Sequence, residues 1–423
     1  MNNKNTFDWI TYVSKYEDLK KAGINTKEKA WNHWIVHGSK EGRKFYNIVN
    51  KDNDPDKLNI IYQVGSTSTI TVNSGIQRVV RLLGKYFDKK CNLYLVKFDY
   101  ANSRFINISS KERRWLEIFN GIPYNPHALD LSVKNKWFFN GEISYDFAPI
   151  KPIFDEARRN NMKIAAIFYD DIQYKMHESY PAVTQHLYKK FIDNLLEVDL
   201  IFPISHYSHT RLLSHIDINY KKIPQIVPCI LPGEFPNIDR NYNYNITLHN
   251  KYHILCIGVI NSRKNQIRLL EAVNQLKDKY NIQLTLVGQI PYNSRLTDIL
   301  KLIKSNNVIR LENISDDQLK TLYQNSHLSV FPSVEEGFGL PILESLWNCR
   351  PCICMNDGAM NEIATGGCLK VDCNDPKKIA DAIEKILFND PFREKLIDEI
   401  KNMKFKTWNE YADEIIGNIS NFQ

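Results

Sequence analysis

Apolar positions recur in two rhythms along the chain. In residues 1 to about 50 the spacing is helical: Trp9, Tyr12, Val13 and Tyr16, then Ala30, Trp31, Trp34 and Ile35. Gly23 marks the turn between the two runs, Thr26 is placed to cap the second, and Gly38 and Gly42 end it. The reading is a small helical module, 1–50, followed by a polar linker from Asn50 to Lys57. From residue 58 onward short apolar runs alternate with helical stretches. The strand candidates are Asn59–Val64, Leu93–Phe98, Lys136–Phe139, Lys163–Phe168, Asp199–Pro203 and Gln225–Cys229, with helices such as Ile76–Tyr86 and Ala182–Leu196 between them. The alternation stops at Pro232-Gly-Glu-Phe-Pro236 and the Asn/Tyr-rich run 237–250, then resumes with His253–Ile257, Gln283–Val287, Val308–Leu311, Leu328–Phe331, Pro351–Cys354 and Cys368–Val371. Strand–helix alternation implies parallel sheets covered by helices. The expected fold class is therefore α/β: two Rossmann-like domains in series, facing a cleft where a ligand binds, plus the N-terminal helical module.

Composition adds bounds to this picture. The chain has 423 residues, enough for two cores, with 43% hydrophobic and 24% charged residues, which is globular. A net charge of +7 suits an anionic substrate or membrane surface. No dense basic stripe, paired Cys/His finger or aromatic RNA-binding signature accompanies it, so no nucleic-acid partner is expected. The eight cysteines lie mostly in apolar runs and read as buried thiols; Cys349-Arg-Pro-Cys352 has no second pair to complete a zinc site. No apolar run reaches transmembrane length and the N-terminus lacks a signal-peptide core, so cytoplasmic residence is expected, with peripheral membrane contact left open.

Two strand-to-helix turns carry candidate chemistry. The first is Gly258-Val-Ile-Asn-Ser-Arg263-Lys264-Asn265, where Gly258 frees the backbone and two cations stand at a helix entrance. Such an entrance already favours an anion, and the functional reading is a pyrophosphate site. Taken alone, the pair reads slightly better as two solvated basic residues on a loop. The second turn is Pro332-Ser-Val-Glu335-Glu336-Gly337-Phe338-Gly339-Leu340-Pro341-Ile-Leu-Glu344. Pro341 suits the first turn of a helix, placing Glu336 on the loop and Glu344 about one turn in. Two carboxylates there can accept hydrogen bonds from sugar and ribose hydroxyls; the plainer alternatives are an exposed helical Glu and a loop charge. Gly337-x-Gly339 imitates a dinucleotide fingerprint, but Ile342 stands where its third glycine belongs and the strand is a late one. NAD is not expected, and without a G-K-[S/T] sequence neither is a P-loop.

These residues together resemble the retaining GT-B glycosyltransferases of family 4. The resemblance rests on Gly258 to Asn265, Leu286-Val-Gly288, and Glu336 to Glu344, and continues through Pro351–Ile363 and Asp375-Pro376. In the first half Asn73-Ser-Gly75-Ile-Gln-Arg78-Val-Val-Arg81, Phe168-Tyr-Asp170-Asp-Ile172 with His177-Glu178, and Pro203-Ile-Ser205-His-Tyr-Ser208 are similar to the family's loops; Thr407-Trp408-Asn-Glu-Tyr411 resembles its tail segment. The first fifty residues resemble a Trp- and Gly-containing module found beside glycosyltransferase domains. The resemblance implies an acceptor domain over 58–245 with a crossing helix over 405–423, and a donor domain over 246–404. It implies transfer of a sugar, with retention, from a nucleotide-diphosphate sugar to a glycan, lipid-linked or protein acceptor. Arg263, Lys264 and Glu336 are the implied catalytic residues. Gly258, Arg263, Lys264, Gly288, Glu336, Gly337, Phe338, Gly339, Leu340 and Glu344 are implied to bind the donor, and Gly75, Asp170 and His177 to face the acceptor. No cofactor and no metal are implied; the adjacent Asp170-Asp171 lacks D-x-D spacing. Pocket specificity is expected around Gly288, Asn313 to Ser315 and Glu336. Tyr169 departs from the family's usual His. A catalytically inactive relative that binds nucleotide sugars or glycans, or another GT-B enzyme such as a phosphorylase or epimerase, stay as alternatives.

Overall fold

The structure, a computed structural model, describes residues 4, 7, 9–43, 53–123, 127–143, 149–176, 182–216, 223–236, 238–244, 246, 251–290 and 308–422. They divide into two compact units, Met1–Ala165 and Ala166–Gln423.

The aromatic-rich start folds into helices Trp9–Lys15, Glu17–Lys21 and Lys27–His33, the last continuing as a π-helical turn Trp34–Gly38. Thr26 caps the third helix, its hydroxyl accepting from the Lys29 N–H. Phe7, Tyr12, Val13, Leu19, Ala30 and Trp34 form a small core of their own. Gly38 is required there, because a Cβ would run into the Tyr12 hydroxyl.

The first sheet has seven strands: β1 Asn59–Gln63, β2 Asn92–Asp99, β3 Arg104–Asn107, β4 Lys136–Asn140, β5 Lys163–Phe168, β6 Leu200–Pro203 and β7 Gln225–Ile226, in the order β3-β2-β1-β4-β5-β6-β7. β3 is an antiparallel edge strand with no counterpart in the sequence reading; its four residues alternate weakly and only Phe105 is buried. The second sheet has six: β8 Tyr252–Ile257, β9 Ile282–Val287, β10 Val308–Leu311, β11 Leu328–Phe331, β12 Cys352–Met355 and β13 Cys368–Val371, in the order β10-β9-β8-β11-β12-β13, with every pair parallel. Strands buried on both faces read as unbroken apolar runs, and β9, β11 and β12 are buried at every position.

This order places the site. Strand order reverses between β8 and β11, so the connections leaving their carboxyl ends diverge and open a crevice. Those two connections are the 258–265 and 332–339 turns. The corresponding reversal in the first sheet lies between β1 and β4. There the buried Glu142 accepts from the N–H groups of Ser66 and Thr67 at 3.0 and 2.6 Å. The guanidinium of Arg81, on helix Gly75–Lys90, holds the loop ahead of that helix through the carbonyls of Ile70 and Val72 at 2.7 and 3.0 Å.

Candidate functional site

β8 ends in Gly258, whose φ of +144° only glycine adopts without strain. Its N–H donates to the Val287 carbonyl at 2.9 Å. Gly288, at the end of neighbouring β9, lies so close that a Cβ would collide with the Gly258 carbonyl. The loop then turns through Asn261, whose Oδ1 accepts from the Lys264 N–H at 2.9 Å. Asn265, in the left-handed region at φ +57°, starts helix Gln266–Leu276 and ties it to the Cys373 carbonyl at 2.9 Å. Arg263 and Lys264 are thereby presented from a stiff turn.

β11 leads to the second turn, and both cations meet its carboxylate. Lys264 Nζ and Arg263 Nη1 lie 2.5 and 2.8 Å from the same Glu336 Oε1. Arg263 Nη1 also donates to the Glu335 carbonyl at 2.7 Å, and its own carbonyl accepts from the Val334 N–H at 2.9 Å. Burial opposes ionisation of Glu336, but the charges of Lys264 and Arg263 outweigh it and hold the carboxyl below its usual range. Burial lowers the Lys264 ammonium despite the attraction of Glu336. Residues 72 positions apart in sequence therefore form one charged cluster with a net excess of one cation.

Gly337 is sterically obligatory. A Cβ there would run into the Tyr169 carbonyl and lie 2.9 Å from Asp170 Cβ. Its carbonyl accepts from the Ser205 and Ser208 hydroxyls at 2.7 and 3.1 Å. Phe338 is buried, and Gly339 at φ +127° turns the chain into helix Leu340–Trp347, with Pro341 in its first turn. Glu344 is only 5% exposed and accepts from the Tyr323 hydroxyl at 3.1 Å, so it is not an exposed helical charge. Gln289 Nε2 donates to Asn313 Oδ1 at 2.8 Å, and Ser315 caps helix Asp316–Gln324.

On the side of β5, Asp170 Oδ1 accepts from the Ile172 N–H at 3.2 Å, so this carboxylate does cap a turn. Burial pushes Asp170 up to about 6, reinforced by the negative charges of Glu336 and Asp171 and opposed by Arg263. Asp171 is spoken for: Arg211 grips it at 2.5 Å and His215 at 3.0 Å. Tyr169 is buried, and its carbonyl accepts from the Ser208 hydroxyl at 2.7 Å. Gly75 opens helix Gly75–Lys90 in the first unit, exposed and with Ser74 at the cap. His177 lies outside the described residues.

Several contributors had no signal in the sequence. Glu335 is held by Lys175 Nζ and the Tyr207 hydroxyl, each at 2.6 Å. Glu362 accepts from the N–H groups of His206 and Tyr207 at 2.9 and 2.8 Å, capping helix His206–Leu213 from a distant segment. Partners 128 to 160 residues apart share no motif or period that could announce them. Among the described residues no group of three or more His, Cys, Asp or Glu is arranged to hold a metal ion, and no helix is long and apolar enough to cross a membrane. Seven of the eight cysteines are buried, and all eight are free.

Comparison with known proteins adds to this geometry. Residues 242–403 match the family model described as "Glycosyl transferases group 1". The O-antigen chain mannosyltransferase RfbU of Salmonella typhimurium is 25% identical over 187 residues, covering 44% of this chain and 50% of RfbU. The O-antigen chain mannosyltransferase B of Escherichia coli is 28% identical over 221 residues, covering 50% of this chain and 57% of that protein. The chain thus spans about half the length of these curated relatives. The crystal structure of Anabaena HepE in complex with UDP and glucose superposes with a TM-score of 0.60 at 12% identity, over 86% of this chain and all of HepE. Two helix-covered α/β sheets and this superposition make the fold GT-B, and residues 242–403 are the part of the chain that carries the likeness to the glycosyl transferases of group 1.

Proposed function

We propose that the protein transfers a hexosyl group, with retention of anomeric configuration, from a nucleotide-diphosphate sugar to a glycan, lipid-linked or protein acceptor. The observation that carries this reading is the Arg263–Lys264–Glu336 cluster at the β8/β11 reversal. Its agreement with the implied residue set, and the glycan-building relatives, support it.

In this reading the donor diphosphate takes the place of Glu336 as the main partner of Arg263 and Lys264. As the bond to the sugar breaks, negative charge grows on the leaving diphosphate. A fork of guanidinium donors and a buried ammonium, already oriented, stabilise that charge more than the ground state. The two cations supply what a divalent ion supplies elsewhere, so transfer is metal-independent. The N–H groups of the Gly337–Leu340 segment and the Glu336 carboxylate hold the sugar, and Glu344, oriented by Tyr323, holds the nucleotide ribose. Gly258 and Gly288 let the backbone approach the donor. Asp170 faces the acceptor. Gly75 and His177 are proposed acceptor contacts on the same family likeness. Retention rests on the resemblance to family 4.

The test is incubation with a panel of nucleotide sugars and acceptors, with and without a chelator, following nucleoside diphosphate release and the anomeric configuration of the product by NMR. Lys264→Ala is expected to lower transfer by about 100-fold or more, the usual cost of losing a charge-stabilising contact, and Glu344→Ala to lower it sharply by removing the ribose contact, each leaving the fold intact. Full activity in both variants would remove the site assignment. Nucleotide binding without turnover of any donor would favour an inactive binding relative.

A further inference from the structure

Glu335 stands one residue before the loop carboxylate and is 6% exposed. Its side chain and its main chain are engaged in two different groups. The carboxylate accepts from Lys175 Nζ and the Tyr207 hydroxyl, each at 2.6 Å, and Lys175 Nζ also reaches the Tyr207 hydroxyl at 2.6 Å, closing a three-member ring. The main-chain carbonyl accepts from Arg263 Nη1 at 2.7 Å, the same nitrogen that meets Glu336. The anchors are themselves fixed. The N–H groups of His206 and Tyr207 are bound by Glu362, and the Tyr207 ring lies against Gly358, where an added Cβ would sit 3.6 Å from it.

We propose that Glu335 is a positioning residue: its carboxylate, anchored by Lys175 and Tyr207, fixes the peptide whose carbonyl aims Arg263 at the diphosphate. The inference rests on the donor-site reading given above. The physical reason lies in where the loop is held. The Val334 N–H is held upstream by the Arg263 carbonyl and the Gly337 carbonyl downstream by the Ser205 and Ser208 hydroxyls; between them the Glu335 side chain restrains its own peptide. Holding it before the ligand arrives removes an ordering cost from binding. A purely structural role would not need this chemistry, because an apolar contact of the same volume stabilises a buried site as well as an ion pair does.

The experiment measures binding of uridine, guanosine and adenosine diphosphates, and of the parent nucleosides, by calorimetry on the full chain. The variants are Glu335→Ala, Glu335→Gln, Lys175→Met and the double Lys175→Met/Glu335→Gln. Glu335→Ala keeps the carbonyl but removes the anchor that fixes it, and is expected to weaken the diphosphate by about tenfold and the nucleoside not at all. Glu335→Gln keeps an acceptor for Tyr207 and falls between. The double variant costs no more than the larger single one, because both remove the same restraint. Unchanged diphosphate affinity in Glu335→Ala overturns the inference, as does equal weakening of diphosphate and nucleoside. Should Glu335→Ala fail to fold, Lys175→Met decides by the same ratio. A wild-type chain that binds no nucleoside diphosphate instead overturns the donor-site reading itself.

Discussion

Asp170 shows how much a single side chain owes to its neighbours. Its carboxyl is lifted to about 6 by burial and by Glu336 and Asp171, with Arg263 pulling the other way. The folded value lies above that of an unfolded Asp, about 3.9. The folded chain therefore binds this proton more tightly than the unfolded chain, and the stability it contributes is full below about pH 4 and lost as pH rises through 6. Ionised, Asp170 adds a negative charge beside Glu336, which opposes an incoming diphosphate. Affinity for a nucleotide-diphosphate sugar is expected to fall as pH passes 6, since a diphosphate esterified at both ends keeps its charge across that range. Asp170→Asn should flatten the profile between pH 5 and 7.5 and stabilise the chain at pH 8, both measurable by calorimetry and thermal melts. A profile that still falls in Asp170→Asn assigns the titration elsewhere. At this scale the sequence showed residue types and left their states open: Arg263, Lys264 and Glu336 were legible as charges at turns, while their convergence on one oxygen depends on the β8/β11 adjacency.

Elements were legible where local and long-range preferences agreed. Helix Gln266–Leu276 and strands β5, β10, β11 and β13 occur with the bounds that the pattern implies. β7 is shorter, Gln225–Ile226, because Pro228 has no N–H to give to the ladder, although the N–H groups of Val227 and Cys229 still reach the Ile201 and Pro203 carbonyls at 2.9 Å. Edge strand β3 was invisible because pairing to β2, and not its own pattern, makes it a strand. The closing helix Trp408–Ser420 starts from a full capping box: the Thr407 hydroxyl accepts from the Glu410 N–H at 3.2 Å, and the Glu410 carboxylate accepts from the Thr407 N–H at 2.7 Å. Thr407→Ala removes one half of that exchange. It is expected to cost about 1 kcal/mol of stability in denaturant melts, with nucleotide affinity unchanged. A loss of affinity instead would tie this helix to ligand binding.

For the molecule as a whole, the second unit closes on its own tail. Trp408 is 1% exposed, and its backbone N–H donates to Glu234 at 2.8 Å while its indole N–H donates to the Glu234 carbonyl at 3.2 Å. The helical module, by contrast, keeps a separate aromatic core, with the Lys15–Glu117 pair at 3.5 Å as a contact to the rest of its unit. An ion pair half-exposed on one side is worth at most about 1 kcal/mol. Deleting residues 1–52 is therefore expected to leave nucleoside diphosphate affinity within about twofold of the full chain, a difference below about 0.4 kcal/mol, by calorimetry. A larger loss would assign the module to donor binding.

The order of elements, the alternation that implies parallel sheets, the two glycine-bearing turns and the identities of the charged residues were determined by sequence alone. These are properties of neighbours in the chain: side-chain period, backbone freedom at glycine, and capping. Tertiary structure decided which of those residues meet. It brought Arg263 and Lys264 onto Glu336, buried Glu344 beneath Tyr323, lifted Asp170, and recruited Lys175 and Tyr207 to Glu335. Coulomb energy and desolvation depend on distance and burial, and neither is a function of separation along the chain. The Tyr169 carbonyl pressed against Gly337 makes the same point sterically: glycine there reads as loop freedom in the sequence, and proves to be the only residue that fits.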